Sequence, residues 1–243
     1  MIGATVLEAR GIHKRFGALT VLDRVDLAIG ADEAVGIVGP NGAGKTTLLN
    51  ILAGSLDATE GVVRFSGEDV TSRSAAHRAR LGIGRAHQVP RPFGGMTVFE
   101  NVLVGATMGG SRRGRVAYAW SLEVLQLCGL LEDANRRAET LGLLDRKRLE
   151  LARSVATEPA VLLLDETGGG LTDEESGELV GTIAELRRRG IAIVWIEHVV
   201  HVLVQVVGRL VCIDAGRVIA DGEPKAVMDN AAVIDAYLGT DLR

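Results

Sequence analysis

Aromatic residues are scarce in this chain of 243 residues. Only 3% of its residues are Phe, Trp or Tyr, although 47% are hydrophobic in total. The hydrophobic core therefore has to consist of Ala, Val, Leu and Ile, a composition that is typical of buried parallel strands covered by helices. This scarcity favours an α/β fold, and the length is sufficient for one or two domains.

The chain also has few cysteines and no excess of positive charge. The two cysteines, Cys128 and Cys212, do not show the C-x-x-C spacing of zinc sites, so we expect reduced thiols in the core. The formal net charge of −4 argues against bulk nucleic-acid binding, which requires a basic surface, and we predict no nucleic-acid partner. The chain is not expected to cross a membrane by itself, because charged and polar residues interrupt its most apolar late stretch, residues 191–208.

One glycine-rich segment stands out, and its residues are Gly39, Pro40, Asn41, Gly42, Ala43, Gly44, Lys45, Thr46 and Thr47. It follows a short apolar run and precedes an apolar pattern with helical spacing, the context that a G-x-x-x-x-G-K-T phosphate-binding loop requires. The glycines allow backbone N–H groups to face phosphate oxygens, and Lys45 supplies positive charge for the outer phosphates. Thr46 would supply a hydroxyl ligand for Mg²⁺. The segment predicts nucleotide binding; the alternative is a glycine-rich turn with an incidental lysine.

Short apolar runs separated by turn residues predict two sheets around this segment. Residues 5–29 and 61–68 contain alternating patterns, which predict a small antiparallel sheet. Residues 81–87, 161–166 and 191–196 contain apolar runs, and a helical pattern separates the last two. This strand–helix–strand order predicts a parallel sheet with a ligand site at the carboxyl ends of its strands.

Helical patterns predict an insertion in this α/β body. Residues 89–95 contain two prolines and two glycines, which predict a loop, and helical patterns follow at residues 98–103, 121–131 and 146–156. We therefore predict a single domain with a body over about residues 1–88 and 157–243 and a helical subdomain over about residues 89–156. The remaining patterns predict a helix, a hairpin and one terminal helix at residues 174–190, 209–221 and 224–238.

Two acids follow the apolar run that begins at Val161. Asp165 would orient the hydration shell of Mg²⁺, and Glu166 would reach the water that attacks the γ-phosphate. An acidic strand end at a turn is the alternative, but the phosphate-binding loop upstream favours the chemical role. Together these residues predict that the chain binds ATP with Mg²⁺ and hydrolyses it.

Gln88 and His198 also lie where predicted strands end. His198 would donate to the γ-phosphate, although a histidine after an apolar strand is also compatible with a structural role. Gln88 lies between a buried strand and the proline-rich loop, where its amide would contact Mg²⁺ or water and move with the loop. We therefore predict a catalytic set of Lys45, Gln88, Glu166 and His198, and a metal site of Thr46, Gln88 and Asp165.

The order of these features resembles that of ABC transporter ATPase subunits over nearly the whole chain, from the phosphate loop through Gln88 and residues 141–153 to Asp165-Glu166 and His198. The resemblance implies an α/β fold of the ABC-type P-loop ATPase class, with a mostly parallel central sheet, an N-terminal antiparallel subdomain and an inserted helical subdomain. It also implies that Phe16 stacks on adenine. On its spacing alone, Phe16 could equally be a core residue.

The resemblance implies several partners. Members of this family pair head to tail, with ATP between the phosphate loop of one subunit and the signature motif of the other. We therefore expect a second ABC ATPase subunit, identical or different, and integral-membrane permease subunits that insert a helix beside the Gln88 loop. An extracytoplasmic substrate-binding protein would be an indirect partner. The implied location is peripheral, at the cytoplasmic face of the inner or plasma membrane.

Within this family, the chain resembles the branched-chain amino acid uptake group. The segments that carry this resemblance are residues 14–17, 92–103, 148–153, 216–222 and 233–239. Members of the group also carry urea, amides and aromatic acids, so the transported compound stays open. The implied function is ATP hydrolysis that powers uptake through a membrane permease.

The signature motif departs from the family pattern. In place of roughly L-S-G-G-Q, the chain has Leu141-Gly142-Leu143-Leu144-Asp145, which lacks the serine hydroxyl that would meet the partner's γ-phosphate. Backbone N–H groups at the next helix start still offer an anion site. Asp145 would cap a helix that starts at Arg146. After the two acids, Thr167-Gly168-Gly169-Gly170 replaces the usual proline-containing stretch.

Two other functions stay open. One is a signature-degenerate nucleotide-binding protein that is a regulatory or structural partner in a heterodimeric ATPase, whereas the main hypothesis is that the chain hydrolyses ATP at its own phosphate loop with a partner's signature and serves the other site poorly. The other is a soluble ABC-type ATPase that acts on nucleic acid or ribosomes. Such an ATPase would usually have a second cassette, a long insertion or a basic surface, and the sequence has none of these.

Overall fold

The structure is a computed structural model that describes residues 4–238. Within that range, ten strands form two sheets. The strands are β1 Thr5–Phe16, β2 Leu19–Gly30, β3 Ala34–Val38, β4 Glu60–Phe65, β5 Glu68–Asp69, β6 Ile83–Ala86, β7 Val161–Asp165, β8 Ala192–Ile196, β9 Arg209–Asp214 and β10 Arg217–Gly222. The α-helices are α1 Lys45–Ala53, α2 Ala75–Leu81, α3 Val98–Val104, α4 Gly114–Leu127, α5 Leu143–Val155, α6 Asp173–Arg188, α7 Val200–Leu203, α8 Pro224–Met228 and α9 Ala231–Leu238.

The larger sheet has the strand order β10-β9-β3-β8-β7-β6, and its pairs from β9 to β6 are parallel. The strands β3, β7 and β8 are buried along their whole lengths, in agreement with their apolar sequences. Asp165 at the end of β7 pairs with Ile196 at the end of β8. The segments after β3, β6, β7 and β8 therefore meet at one edge of the sheet. The predicted α/β fold with a mostly parallel central sheet is confirmed.

The smaller sheet has the order β2-β1-β4-β5 and is antiparallel, as predicted. It shares one core with α1 and one face of the central sheet, and this core contains Val35 and Ile37 of β3. Ala34 and Val38 of the same strand belong to the second core, which the helices on the other face share. Because both faces are covered, every position of the strand is apolar or glycine.

The helices α3, α4 and α5 lie in the chain between β6 and β7, and their bounds differ from those predicted. The helix α3 begins at Val98, as predicted, because Thr97 and Glu100 form a capping box. The helix α4 begins at Gly114, seven residues before the predicted start, and no side chain caps it. A π-helical turn at Gly105–Gly109 separates it from α3. Without a capping residue, the sequence contains no local signal for the start of α4.

The prediction of one helix over residues 224–238 is wrong, because α8 and α9 are separate helices. The Glu223 side chain caps α8 at Ala226. The Asn230 side chain then accepts the N–H of Ala232 and begins α9. Side-chain oxygens that cap a new helix compete with continuation of the previous one. The hairpin predicted over residues 209–221 is present as β9 and β10.

Both cysteines are free thiols in the core, as predicted. Cys128 and Cys212 are buried and unpaired, and burial raises their pKa values to about 12 and about 11, so both are neutral thiols. In residues 4–238, no helix combines the length and the apolar character that a membrane span needs.

Candidate nucleotide site

The phosphate loop connects β3 to α1 at the carboxyl edge of the central sheet. Gly39 has a φ of +142°, and a Cβ atom there would lie 1.9 Å from the carbonyl oxygen of Ile213, so only glycine fits. Gly44, with a φ of +103°, is the N-cap of α1 and leaves the first N–H groups of that helix without a side-chain cap. These N–H groups and the helix dipole form an anion site. The loop therefore has the backbone form that phosphate binding requires.

Lys45 is the first residue of α1, and its side chain turns back onto the loop. It is 5% exposed, and its ammonium donates to the carbonyl oxygens of Gly39 at 2.6 Å and Pro40 at 2.9 Å. Burial lowers the pKa of Lys45, because a low-dielectric environment disfavours the charged form, and nearby Glu166 and Asp165 act in the opposite direction. The ammonium therefore lies against the backbone of the loop that the sequence predicts to bind phosphate.

The structure brings together two of the predicted metal ligands, Thr46 and Asp165. The Thr46 hydroxyl donates to Asp165 Oδ1 at 3.3 Å, and the carboxylate is almost fully buried. Burial raises the pKa of Asp165, although the Arg85 guanidinium, 3.2 Å from Oδ2, lowers it. A hydroxyl and a carboxylate side by side are oxygen donors of the kind that Mg²⁺ prefers. Their chemistry fits the predicted metal.

Arg85 is a residue of this site that the sequence analysis missed. It lies on β6, and its guanidinium also donates to the Asn50 side chain on α1 at 2.6 Å. It thus connects the acid at the end of β7 to the helix that follows the phosphate loop. The sequence signal was an arginine within an otherwise apolar strand, since a charge in such a place is expected to have a partner.

Glu166 lies between the side chains of Gln88 and His198. The Gln88 amide donates to Glu166 Oε2, and His198 Nε2 lies 2.7 Å from Glu166 Oε1. The backbone N–H of Glu166 donates to the carbonyl oxygen of Ile196 at 2.9 Å. Three residues that the sequence places at the ends of different strands therefore meet around one carboxylate. Gln88 contacts this acid, and its predicted contact with Mg²⁺ stays a prediction.

A second buried acid, Glu197, lies directly beside His198 and was also missed as a site residue. It is 5% exposed, and it accepts the N–H of Gly168 at 2.6 Å. Burial raises its pKa. Lys147 of α5, 6% exposed, donates to the carbonyl oxygen of Thr167 at 2.7 Å, and burial lowers its pKa. These contacts connect β8 and α5 to the glycine segment after β7.

The altered signature motif lies at the start of α5. The prediction that Asp145 caps a helix starting at Arg146 is wrong: α5 begins at Leu143, Gly142 is its N-cap, and Asp145 is in the first turn. Leu143 is 46% exposed, and a Cβ atom on Gly170 would lie 3.3 Å from its side chain. An apolar side chain therefore stands where the family pattern has a glycine, and the glycine segment leaves room for it.

Phe16 lies at the end of β1, apart from the residues around Glu166. Its ring is 49% exposed, and the Lys14 ammonium lies 4.9 Å from the ring centroid. A flat, exposed ring is suited to stacking on a base. The alternative of a core residue is wrong, whereas the adenine contact stays a prediction.

Comparison with known proteins identifies two family models in this chain. The ABC transporter model matches residues 22–168, and a model of branched-chain amino acid ATP-binding cassette transporters matches residues 217–242. Two relatives are the high-affinity branched-chain amino acid transport ATP-binding proteins BraF of Pseudomonas aeruginosa and LivG of Escherichia coli K12. Each is 36% identical to this chain and the match covers 96% of this chain and 98% of the relative.

Solved structures of ATP-binding cassettes have the same fold. A nucleotide-free cassette from an ABC transporter superposes with a TM-score of 0.88 at 28% identity and covers 96% of this chain and 98% of its own. The ADP conformation of the cassette MJ1267 superposes with a TM-score of 0.88 at 29% identity and covers 97% of this chain and 99% of its own.

Proposed function

Since this chain belongs to the ABC transporter ATP-binding family, we propose that it is the ATP-hydrolysing subunit of an importer for branched-chain amino acids or chemically similar compounds. The relatives favour this function over that of a soluble ABC-type ATPase. The observation that carries the proposal is the convergence of Gln88 and His198 on Glu166, next to a phosphate loop.

The phosphate loop and its surroundings would bind the triphosphate. Residues 39–47 would supply N–H groups and the hydroxyl of Thr47, and Lys45 would leave the carbonyl oxygens of its own loop for the outer phosphates. Phe16 would stack on the adenine. Thr46, Gln88 and Asp165 would hold Mg²⁺, which when bound neutralises charge on the β- and γ-phosphates.

Glu166 would position the attacking water and accept its proton at a carboxylate oxygen. The Gln88 amide and the His198 ring support this role, because both lie against the carboxylate and limit its rotation. His198 would turn from Glu166 to the γ-phosphate when nucleotide is present. The Gln88 loop would report that change to the helical subdomain, which we propose spans about residues 89–156.

We further propose that the chain pairs with a second ABC ATPase subunit, which would complete the nucleotide site with its own signature motif. In this chain Gly142 occupies the position of the signature serine and offers no hydroxyl, and Leu143 follows it with an exposed apolar side chain. A different subunit with a complete signature would therefore support faster hydrolysis at this chain's phosphate loop than a second copy would. Purified single and mixed subunits distinguish these cases, and strong cooperative turnover by the chain alone would contradict the asymmetry.

A groove beside the Gln88 loop supports the predicted permease partner. It lies between α2, α3 and α5, and its surface includes the exposed apolar residues Phe93 and Met108 and the basic residues Arg80 and Arg91. An apolar groove with a basic rim fits an amphipathic helix of a membrane subunit. Through that permease, a substrate-binding protein on the far side of the membrane would be an indirect partner.

Replacement of the proposed base tests the function. In Glu166→Gln, we expect ATP hydrolysis to fall by about 10²- to 10⁴-fold while ATP still binds, because the amide keeps the shape but cannot accept a proton. Uptake of labelled branched-chain amino acids by cells that depend on this subunit should fall with it. Glu132→Gln, at an exposed glutamate, is the control. Hydrolysis at the wild-type rate in Glu166→Gln would contradict the assignment of the base.

A further inference from the structure

The helix α9 contacts the phosphate loop through the side chain of Tyr237. The Tyr237 hydroxyl oxygen accepts the backbone N–H of Gly39 at 2.9 Å, although 198 residues separate the two. We propose that Tyr237 is a positioning residue that holds the first peptide of the phosphate loop and thereby couples α9 to nucleotide binding. This inference rests on the proposed binding of nucleotide at that loop.

Gly39 is held on three sides. The Tyr237 hydroxyl accepts its N–H, and the Lys45 ammonium donates to its carbonyl oxygen at 2.6 Å. The carbonyl oxygen of Ile213 occupies the space where a Cβ atom would be. A residue with contacts at its N–H, its Cα atom and its carbonyl oxygen has little freedom to rotate about φ and ψ. If the Tyr237 contact were lost, the Gly39 N–H would need another acceptor, and the carbonyl oxygen that orients Lys45 would be free to move.

The helix α9 is well placed to provide this contact. Val233, four residues before Tyr237 and on the same face of the helix, is fully buried and packs in the core beneath the central sheet. The Tyr237 ring packs against the same core. Burial raises the pKa of Tyr237, so that the hydroxyl stays neutral at physiological pH. The position of the hydroxyl is therefore set by the docking of the whole helix.

Preorganisation of the loop explains how a remote side chain would affect affinity. A loop whose first peptide is already fixed loses less conformational entropy when it closes around phosphates. Coupling between two sites is reciprocal, so that nucleotide binding should stabilise the docked form of α9 by the same factor. The match of the second family model to residues 217–242 includes α9, the segment that makes this contact.

The test is Tyr237→Phe, which removes the hydroxyl and keeps the ring. We expect the dissociation constant for ADP, measured by calorimetry on the full chain, to rise by roughly three- to tenfold, because the variant cannot accept the Gly39 N–H. ADP binding should also slow hydrogen exchange in residues 231–238 of the wild type, and do so much less in the variant. Tyr118→Phe is the matched control, because Tyr118 is the other tyrosine of the chain and is 55% exposed on α4.

Each outcome decides the inference. Weaker ADP binding in Tyr237→Phe, together with loss of the ADP effect on exchange in α9, supports it. Unchanged ADP binding in a variant with a lowered melting temperature would show that the hydroxyl only stabilises the fold, and would overturn it. A wild-type chain that fails to bind ADP would overturn the proposed function as well, so the two failures are distinguishable.

Discussion

At the scale of single residues, Glu166 shows how the site holds its acid. Its φ of +46° lies in the left-handed region, which non-glycine residues rarely adopt and which costs of order 1–3 kcal/mol. Contacts from Gln88 and His198 to the side chain, and from the Glu166 N–H to Ile196, offset this cost. Strain that persists because neighbouring residues enforce it is typical of functional sites.

Arg85 provides a test of the electrostatic balance around Asp165. Arg85→Ala would leave a buried carboxylate without its positive partner, and we expect a loss of about 3 kcal/mol in the free energy of unfolding. This is the lower end of the usual range, because Asp165 can take up a proton. Denaturant unfolding measures the change, and Arg80→Ala, at an exposed arginine of α2, is the control. Equal losses in the two variants would contradict a special role of Arg85.

At the scale of secondary-structure elements, Glu197 holds together the end of β8 and the glycine segment after β7. Burial raises its pKa, so its folded-state pKa lies above its unfolded-state value. The stabilisation that comes from its protonation is fully present below the unfolded-state pKa and is lost as the pH rises through the folded-state pKa. Ionisation of Glu197 therefore destabilises the folded state relative to its protonated form.

A comparison of pH profiles tests this reasoning. In Glu197→Gln, the side chain cannot ionise but keeps an oxygen to accept the Gly168 N–H. We expect the wild type to lose stability relative to this variant as the pH rises above about 4.3, the pKa of an unfolded glutamate. Melting temperatures measured as the pH rises provide the test, with Glu132→Gln as the reference at an exposed site. Parallel profiles would show that Glu197 has an ordinary pKa.

At the start of α5, glycine replaces the serine of the family signature, and this difference can be tested. The family pattern has a serine at Gly142, and no atom lies within 4 Å of the position that a Cβ atom would take there, so a serine fits. We expect Gly142→Ser to raise ATP hydrolysis by the isolated chain by about tenfold, because it restores one donor for the partner's γ-phosphate. Gly177→Ser, at an equally open glycine of α6, is the matched control. An unchanged rate would mean that Leu143 and Leu144 block the site regardless of the hydroxyl.

At the scale of the whole molecule, the nucleotide site and the groove beside α2 lie on either side of the Gln88 loop. The loop begins at the end of β6, where Gln88 touches Glu166, and continues to Phe93, whose exposed ring borders the groove. Arg153 of α5 lies over that ring, 4.8 Å from its centroid. A movement of the loop would therefore change both the proposed site of hydrolysis and the proposed docking surface.

Met108 is 73% exposed in this groove. A substitution there should affect docking of the proposed permease without affecting ATP hydrolysis. In Met108→Asp, we expect the chain to lose co-purification with its permease and to lose amino acid uptake, while ATP hydrolysis by the isolated chain stays unchanged. A buried charge at an apolar interface is strongly unfavourable. Val116→Asp, at an apolar residue of α4 that is 57% exposed and lies outside the groove, is the control. Normal uptake by Met108→Asp would contradict docking at this surface.

The sequence by itself determined the phosphate loop, the two sheets and the set of polar residues at strand ends. Each of these depends on local patterns: the spacing of glycines and a lysine in residues 39–47, apolar runs in the buried strands, and acids directly after β7. The direct contacts of Gln88 and His198 with Glu166 could be anticipated only in outline. Parallel strands bring their carboxyl ends to one edge, but the sequence does not specify which side chains touch there.

Only the tertiary structure decided the contacts between residues far apart in the chain. Arg85 and Asp165 are 80 residues apart, and Tyr237 and Gly39 are 198 apart. Periodicity reports which face of an element is buried, whereas these contacts depend on how helices pack on the sheet. The split between α8 and α9 belongs to the same class, since side-chain capping at Asn230 overrides an otherwise continuous helical pattern.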